Sequence, residues 1–181
     1  FKAMHLKHHN DERLTDPYDD PESYYRAVMD WERLPIWFKR VLELNNTMSG
    51  RFLLGPALMA GGFAWAELRM ALAGNLKVRI AWGLHFIGML PVYLVVTMVF
   101  GMPFWLYLLV PAYFGLALIT VRTYAEHRWS ESPEGRTIIV ERSPLAFLFL
   151  NNNLHIVHHK NPNAAWYQLP QLFRARREEW I

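Results

Sequence analysis

Residues 80–121 read IAWGLHFIGMLPVYLVVTMVFGMPFWLYLLVPAYFGLALITV, without one Asp, Glu, Lys or Arg. Gly101-Met102-Pro103 divides the run into Ile80 to Phe100 and Met102 to Val121. At about 20 residues each, either half can cross a ~30 Å hydrocarbon layer once as a helix. The reading is a two-span transmembrane hairpin whose ends return to one side. Pro91 and Pro111 are expected to kink the spans, which a membrane bundle tolerates where neighbours satisfy the freed backbone groups. His85 lies near the start of the first span with no histidine at i+3 or i+4, so a hydrogen bond within the bundle is its expected role.

Outward from the hairpin the pattern changes. Phe52 to Ala66 is uncharged but only 15 residues long, about 22 Å as a helix, and Glu67 and Arg69 end it. We expect it to be interfacial or half-inserted, because a third full crossing would put the two ends of the chain on opposite sides. Leu34, Trp37, Phe38, Val41 and Leu42 follow the helical i, i+3, i+4, i+7, i+8 pattern with Lys39, Arg40 and Glu43 opposite, which suits a helix lying in the membrane interface. The same pattern would also cover a soluble core, and the neighbouring spans decide between the two. The composition agrees with a membrane protein, at 52% hydrophobic and 15% aromatic with eight tryptophans. A formal charge of +3 is too small and scattered for nucleic acid, and Lys77, Arg79, Arg122 and Arg128 flank the open side of the hairpin instead. The positive-inside rule places that side in the cytoplasm.

The two ends of the chain carry one repeated spacing. His5-Leu6-Lys7-His8-His9 and His155-Ile156-Val157-His158-His159 hold six of the eight histidines. A helix sets i, i+3 and i+4 on one face, within reach of a metal ion. An expression tag would be consecutive, whereas these runs are interrupted at identical positions. Imidazole suits iron, zinc, copper and nickel, and the absence of cysteine excludes thiolate sites, iron–sulfur clusters and disulfides within this chain. Around the second run, Ser143, Pro144 and Asn161-Pro162 predict a helix from 143 to 161. That helix would bring Asn151 and Asn152 onto the ligand face, to hold a metal-bound water or orient a ligand, unless they are a simple polar turn. Acidic residues behind the first run, from Asp11 to Glu22, are either acceptors for imidazole N–H groups or a solvated loop. His127 follows Val121 by six residues, about 9 Å of helix, on the side where both histidine runs emerge.

Taken together, these motifs resemble the membrane fatty acid desaturases and related integral-membrane hydroxylases. The marks are two His-x-x-His-His boxes about 150 residues apart, a hydrophobic hairpin between them, and an isolated histidine after it in Thr123-Tyr124-Ala125-Glu126-His127-Arg128-Trp129. The resemblance implies an all-α integral membrane fold with a two-span hairpin, interfacial helices and a cytosolic histidine-rich cap. It covers residues 1–181 as one desaturase-like domain. That family carries an earlier histidine box which this sequence lacks, so the chain reads as a piece of a four-span protein, truncated at both ends. The implied metal ligands are His5, His8, His9, His127, His155, His158 and His159, with Asp16 of the Asp-Pro pair, Asn151 and Asn152 as supporting residues. Seven ligands, or nine with the missing pair, suit two metals better than one, and the resemblance makes them two iron ions with dioxygen as co-substrate.

The expected activity is desaturation of a fatty acyl chain drawn from the membrane. Hydroxylation or ketolation of an alkane, sterol-like or carotenoid substrate is the alternative. Electrons would come from an external donor such as a ferredoxin or a b-type cytochrome, because the chain shows no cysteine cluster, flavin fingerprint or haem motif. A histidine-rich metal transporter fits less well, since transport needs ligands near the bilayer midplane and all but His85 lie outside the spans.

Overall fold

The computed structural model describes residues 2–9 and 13–180, and among them the regular structure is helical with no β-strand. In chain order the helices are α1 (Lys2–His8), α2 (Val28–Glu32), α3 (Ile36–Asn45), α4 (Met48–Leu72), α5 (Leu76–Leu94), α6 (Phe104–Tyr107), α7 (Tyr113–Glu126), α8 (His155–Lys160), α9 (Leu169–Ala175) and α10 (Arg177–Trp180). π-helical segments Val95–Val99 and Leu108–Ala112 extend α5 and join α6 to α7. Residues 41–121 form one compact unit, and those up to Arg40 together with those from Arg122 form another.

Two helical rods, Leu76–Val99 and Phe104–Glu126, are long and apolar enough to cross a membrane. Only 6% and 11% of their apolar windows are buried within the protein. Leu84, Phe86, Ile87, Leu90, Met98 and Leu109 all face outward. Hydrocarbon is the solvent that suits such a surface, since a helix satisfies its own backbone groups. Pro91 cannot donate a backbone hydrogen bond, and the π segment begins four residues after it; Pro111 lies inside the second π segment. A widened turn absorbs the missing bond at both places. Gly101, at φ +61°, begins the turn between the rods.

The preceding helix is longer than the uncharged stretch within it. The uncharged stretch Phe52 to Ala66 belongs to a longer helix, α4, of 25 residues, which continues through Pro56 and past Glu67 and Arg69. Its start is capped by Thr47, whose hydroxyl accepts from Gly50 N–H at 3.0 Å. Its end is closed by Gly74 at φ +91°, with Gly74 N–H donating to Ala71 C=O and Asn75 N–H to Met70 C=O, both at 3.1 Å. That double bond pattern is the Schellman motif, and it satisfies carbonyls that an open helix end leaves bare. Trp82 Nε1 then donates to Glu67 Oε2 at 3.2 Å, so the charge that ends the uncharged stretch finds a partner on α5. Near its start α4 packs on α7: Thr120 Oγ1 donates to Arg51 C=O at 3.1 Å, and Gly55 leaves room for the Thr120 side chain.

The other unit holds the histidine-bearing helices. Leu154, Val157, Leu169 and Phe173 form its buried apolar cluster, with Ile139, Ile156 and Leu172 packed against them. An extended connector, residues 137–140, ties the entries to the site together. Thr137 bridges His127 and Ile139 bridges Leu154, while Ile138 N–H donates to Glu126 C=O at 2.9 Å and Val140 N–H to Asn153 C=O at 2.8 Å. The helix expected from 143 to 161 begins only at His155. Ser143 accepts from Leu145 N–H in a local turn at 3.1 Å, and Leu150 and Asn151 both adopt positive φ, +54° and +56°. Two successive left-handed residues break a helix, and here they free Leu154 to enter the bridge and the core.

Candidate metal centre

Each histidine box sits on a short helix that faces the other. His5 and His8 are on α1, His9 follows with its N–H bonded to His5 C=O at 3.1 Å, and His155, His158 and His159 are on α8. His127 directly follows α7 and is fixed by the bridge to Thr137 and by Tyr24, whose hydroxyl donates to its C=O at 2.7 Å. The seven rings sort into two groups. His8, His127, His155 and His159 are all buried, and one ligand nitrogen from each lies within 4.8 Å of the others; His5, His9 and His158 form a half-buried second group by the same measure. The sorting follows helical geometry: the i, i+4 pair of each box joins one group, and the remaining histidine of that box joins the other. His85 belongs to neither group and sits edge-on against Trp82, ring centroids 5.6 Å apart.

The outward nitrogens set the tautomers. His8 Nδ1 lies 2.8 Å from Asp20 Oδ1, His5 Nδ1 lies 3.0 Å from Glu22 Oε1, and His127 Nδ1 lies 3.3 Å from Arg136 C=O. Carboxylate and carbonyl oxygens only accept, so Nδ1 is the donor in all three rings and Nε2 of the neutral ring carries a lone pair. Yet His8 Nε2 and His127 Nε2 lie 3.0 Å apart, His155 Nε2 stands 3.0 Å from the same His127 Nε2, and His5 Nε2 faces His9 Nε2 at 3.2 Å. In the neutral His8–His127 pair two lone pairs oppose one another, which repel in a buried place unless a cation lies between them; no acceptor fixes His155 Nδ1, so its Nε2 can instead carry a proton and donate to His127. Seven imidazoles thus converge, with a carboxylate or carbonyl acceptor behind three of them, a donor set that could hold metal ions.

Charge states agree. Burial, followed by the charges of neighbouring histidines, lowers His127 and His158 to about 4, and the same causes hold His155 and His159 below the ordinary imidazole value. These rings are neutral near pH 7, the form that binds metal. Burial pulls His8 down as well, but its hydrogen bond to Asp20 and the charges of Asp20 and Glu22 outweigh it and raise the ring. Asp20 is lowered: burial alone would raise it, and the His8 bond and backbone donors from Glu22 and Thr15 prevail.

The supporting residues named from sequence make hydrogen bonds to groups other than imidazole. Asp16 Oδ1 accepts from the backbone N–H groups of Tyr18 and Asp19, both at 2.8 Å, and shapes the turn behind the first box. Asp11 and Glu12 lie outside the described residues; among those described, the carboxylates of that loop that reach imidazole are Asp20 and Glu22. Asn151 donates to Trp166 C=O at 3.1 Å, and the buried Asn152 donates to Glu126 Oε1. Sequence reasoning did not single out Asp20, Glu22 or Glu126. The first two lie in an acidic loop where no helical period marks one carboxylate from the next; Glu126 adjoins His127, and a carboxylate next to a ligand was the available signal.

A cavity of about 220 Å³ opens beside the three-histidine group. His5, His158, Arg122 and Asn152 give it a polar side, and Phe149, Leu150, Trp166 and Leu169 an apolar one. The protein-family model of the fatty acid desaturases matches residues 1–180. Neither curated proteins nor solved structures give a significant match to the chain.

Proposed function

Because the chain belongs to the fatty acid desaturase family, a family of membrane-bound lipid oxidoreductases, we propose that it is an oxygen-dependent di-iron enzyme that inserts a double bond into a fatty acyl chain. The observation that carries this reading is the convergence of seven imidazoles into two groups, each with its ligand nitrogens within 4.8 Å of one another. His8, His127, His155 and His159 would hold one iron, and His5, His9 and His158 the other. Bound there, the iron pair supplies activation of dioxygen and removal of hydrogen from an unactivated C–H bond.

The rest falls to the protein. Asp20, Glu22 and the Arg136 carbonyl hold three imidazoles with Nε2 turned inward. Burial keeps the four-histidine group dry, and the half-buried group adjoins the cavity, whose apolar wall suits a hydrocarbon segment. The overall reaction consumes dioxygen, two electrons and two protons, converts –CH2–CH2– to –CH=CH–, and yields two waters. The two electrons must be resupplied at every turnover and a cysteine-free chain has no iron–sulfur cluster to relay them, so an external one-electron carrier such as a ferredoxin or a b-type cytochrome is the implied partner. Cations at Lys77, Arg79, Arg122 and Arg128 support a cytoplasmic position for the histidines.

The test is lipid mass spectrometry on a host expressing the full-length protein, with iron analysis of the purified enzyme. Two irons per chain and oxygen-dependent unsaturated acyl groups are expected. A hydroxylated or oxo product would move the reading to the related hydroxylases and ketolases. Metal flux into vesicles without oxygen consumption would overturn it in favour of transport.

A further inference from the structure

Three of the clustered imidazoles have an acceptor behind them, and His155 does not. Its ring is 3% exposed, its Nε2 faces the cluster, and its Nδ1 is buried without a hydrogen-bond partner. A carboxylate oxygen, Glu126 Oε1, stands 4.0 Å from that nitrogen, against 2.8 and 3.0 Å for the carboxylates behind His8 and His5. Glu126 is itself buried at 8% exposure. Its Oε1 accepts from Arg122 Nε at 2.5 Å and from Asn152 Nδ2. A buried carboxylate is retained only where it has donors and a counter-charge. These two donors hold it in place, yet neither is a ligand candidate.

We infer that Glu126 is the positioning residue of the four-histidine group, closing on His155 Nδ1 when a metal occupies Nε2. The inference rests on the di-iron reading above. A metal on Nε2 requires the proton on Nδ1, and that N–H, buried without an acceptor, would weaken the ligand. Closing about 1 Å brings Glu126 Oε1 into range of an ordinary hydrogen bond. Placement adds a second effect: Glu126 immediately precedes His127, and its own C=O is pinned by Ile138 N–H at 2.9 Å. One residue thus links His127, His155 and, through Asn152, the turn that launches α8. Arg122, one helical turn earlier, supplies the counter-charge.

The experiment loads detergent-purified protein with ferrous iron without oxygen and follows its release to a ferrous chelator, for the native protein and Glu126→Gln. Glutamine keeps an oxygen for Arg122 and Asn152 but offers His155 no charge. The expected result is one iron released about 10–100-fold faster, the other at the native rate, and a metal-free thermal midpoint close to native. A merely structural role predicts the reverse, a lowered metal-free midpoint with unchanged release, and that result overturns the proposal. Should Glu126→Gln fail to fold, the structure of the native protein with metal bound decides: Glu126 Oε1 at about 3 Å from His155 Nδ1 supports the proposal, and a separation still at 4.0 Å overturns it. Native protein that binds no iron overturns the di-iron reading and this proposal with it, whereas iron bound and released identically by both proteins overturns the proposal alone.

Discussion

At the scale of single residues, the two histidines outside the boxes part ways. His127 Nε2 stands 3.0 Å from both His8 Nε2 and His155 Nε2, so His127→Ala removes the nitrogen on which the buried group converges. Its iron content should fall toward one per chain and its activity to background. His85 packs against Trp82 and Phe86, and His85→Ala should keep both irons and most of the activity. Metal analysis and product assay on the two variants at equal expression check this, and iron loss in His85→Ala alone would refute it. The neutral rings also set an acid limit. His127 and His158 titrate near 4 when folded and near 6.5 when unfolded, so the unfolded chain binds more protons between those values and the metal-free fold weakens as pH falls through that window. His155 and His159 are lowered too and act in the same direction, whereas His8 is raised and opposes them as one ring against four. The metal-free thermal midpoint in detergent should therefore be lower at pH 5 than at pH 7, and an equal or higher midpoint at pH 5 would contradict the buried-neutral account.

Between elements, packing distinguishes glycines that look alike in sequence. A Cβ at Gly55 would lie 2.8 Å from Thr120 Oγ1 and 3.0 Å from Thr120 Cβ, whereas Gly61 and Gly62 have nothing within 4 Å. Gly55→Ala should destabilise the α4–α7 contact by about 1–3 kcal/mol. Gly61→Ala should be neutral or stabilise by about 0.5–1 kcal/mol. Thermal unfolding in detergent compares them, and equal midpoints would show that the close approach at Thr120 carries no energy. The contrast also marks what sequence could and could not convey. The two apolar rods were legible because length and an absence of charge are local properties, as was the placement of imidazoles by i, i+3, i+4 spacing on α1 and α8. The start of α8 was not, because Ser143 and Pro144 carry genuine start signals that Leu150 and Asn151 override for the sake of a tertiary bridge between Leu154 and Ile139. Asp20, Glu22 and Glu126 were hidden for a related reason, since a residue that supports a ligand is selected by position in space and leaves no period along the chain.

For the whole molecule, the sided distribution of arginine and lysine gives a topological expectation. Cysteines introduced at Ser132 and Met102 should label from opposite sides of the membrane, with Ser132→Cys protected in intact cells; labelling of Ser132→Cys from outside would invert the assignment. The contact between His8 and His127 spans 119 positions, and His5 and His158 bring their rings within 6.2 Å from opposite ends of the chain. A ribosome adding about 5–20 residues per second delivers the second box on the order of ten seconds or more after the first. Until His127 and then the second box are made, the early histidines have no counterpart to close upon. Closure of the two histidine groups therefore follows synthesis of the hairpin that lies between the boxes, and any metal they hold cannot guide the insertion of that hairpin.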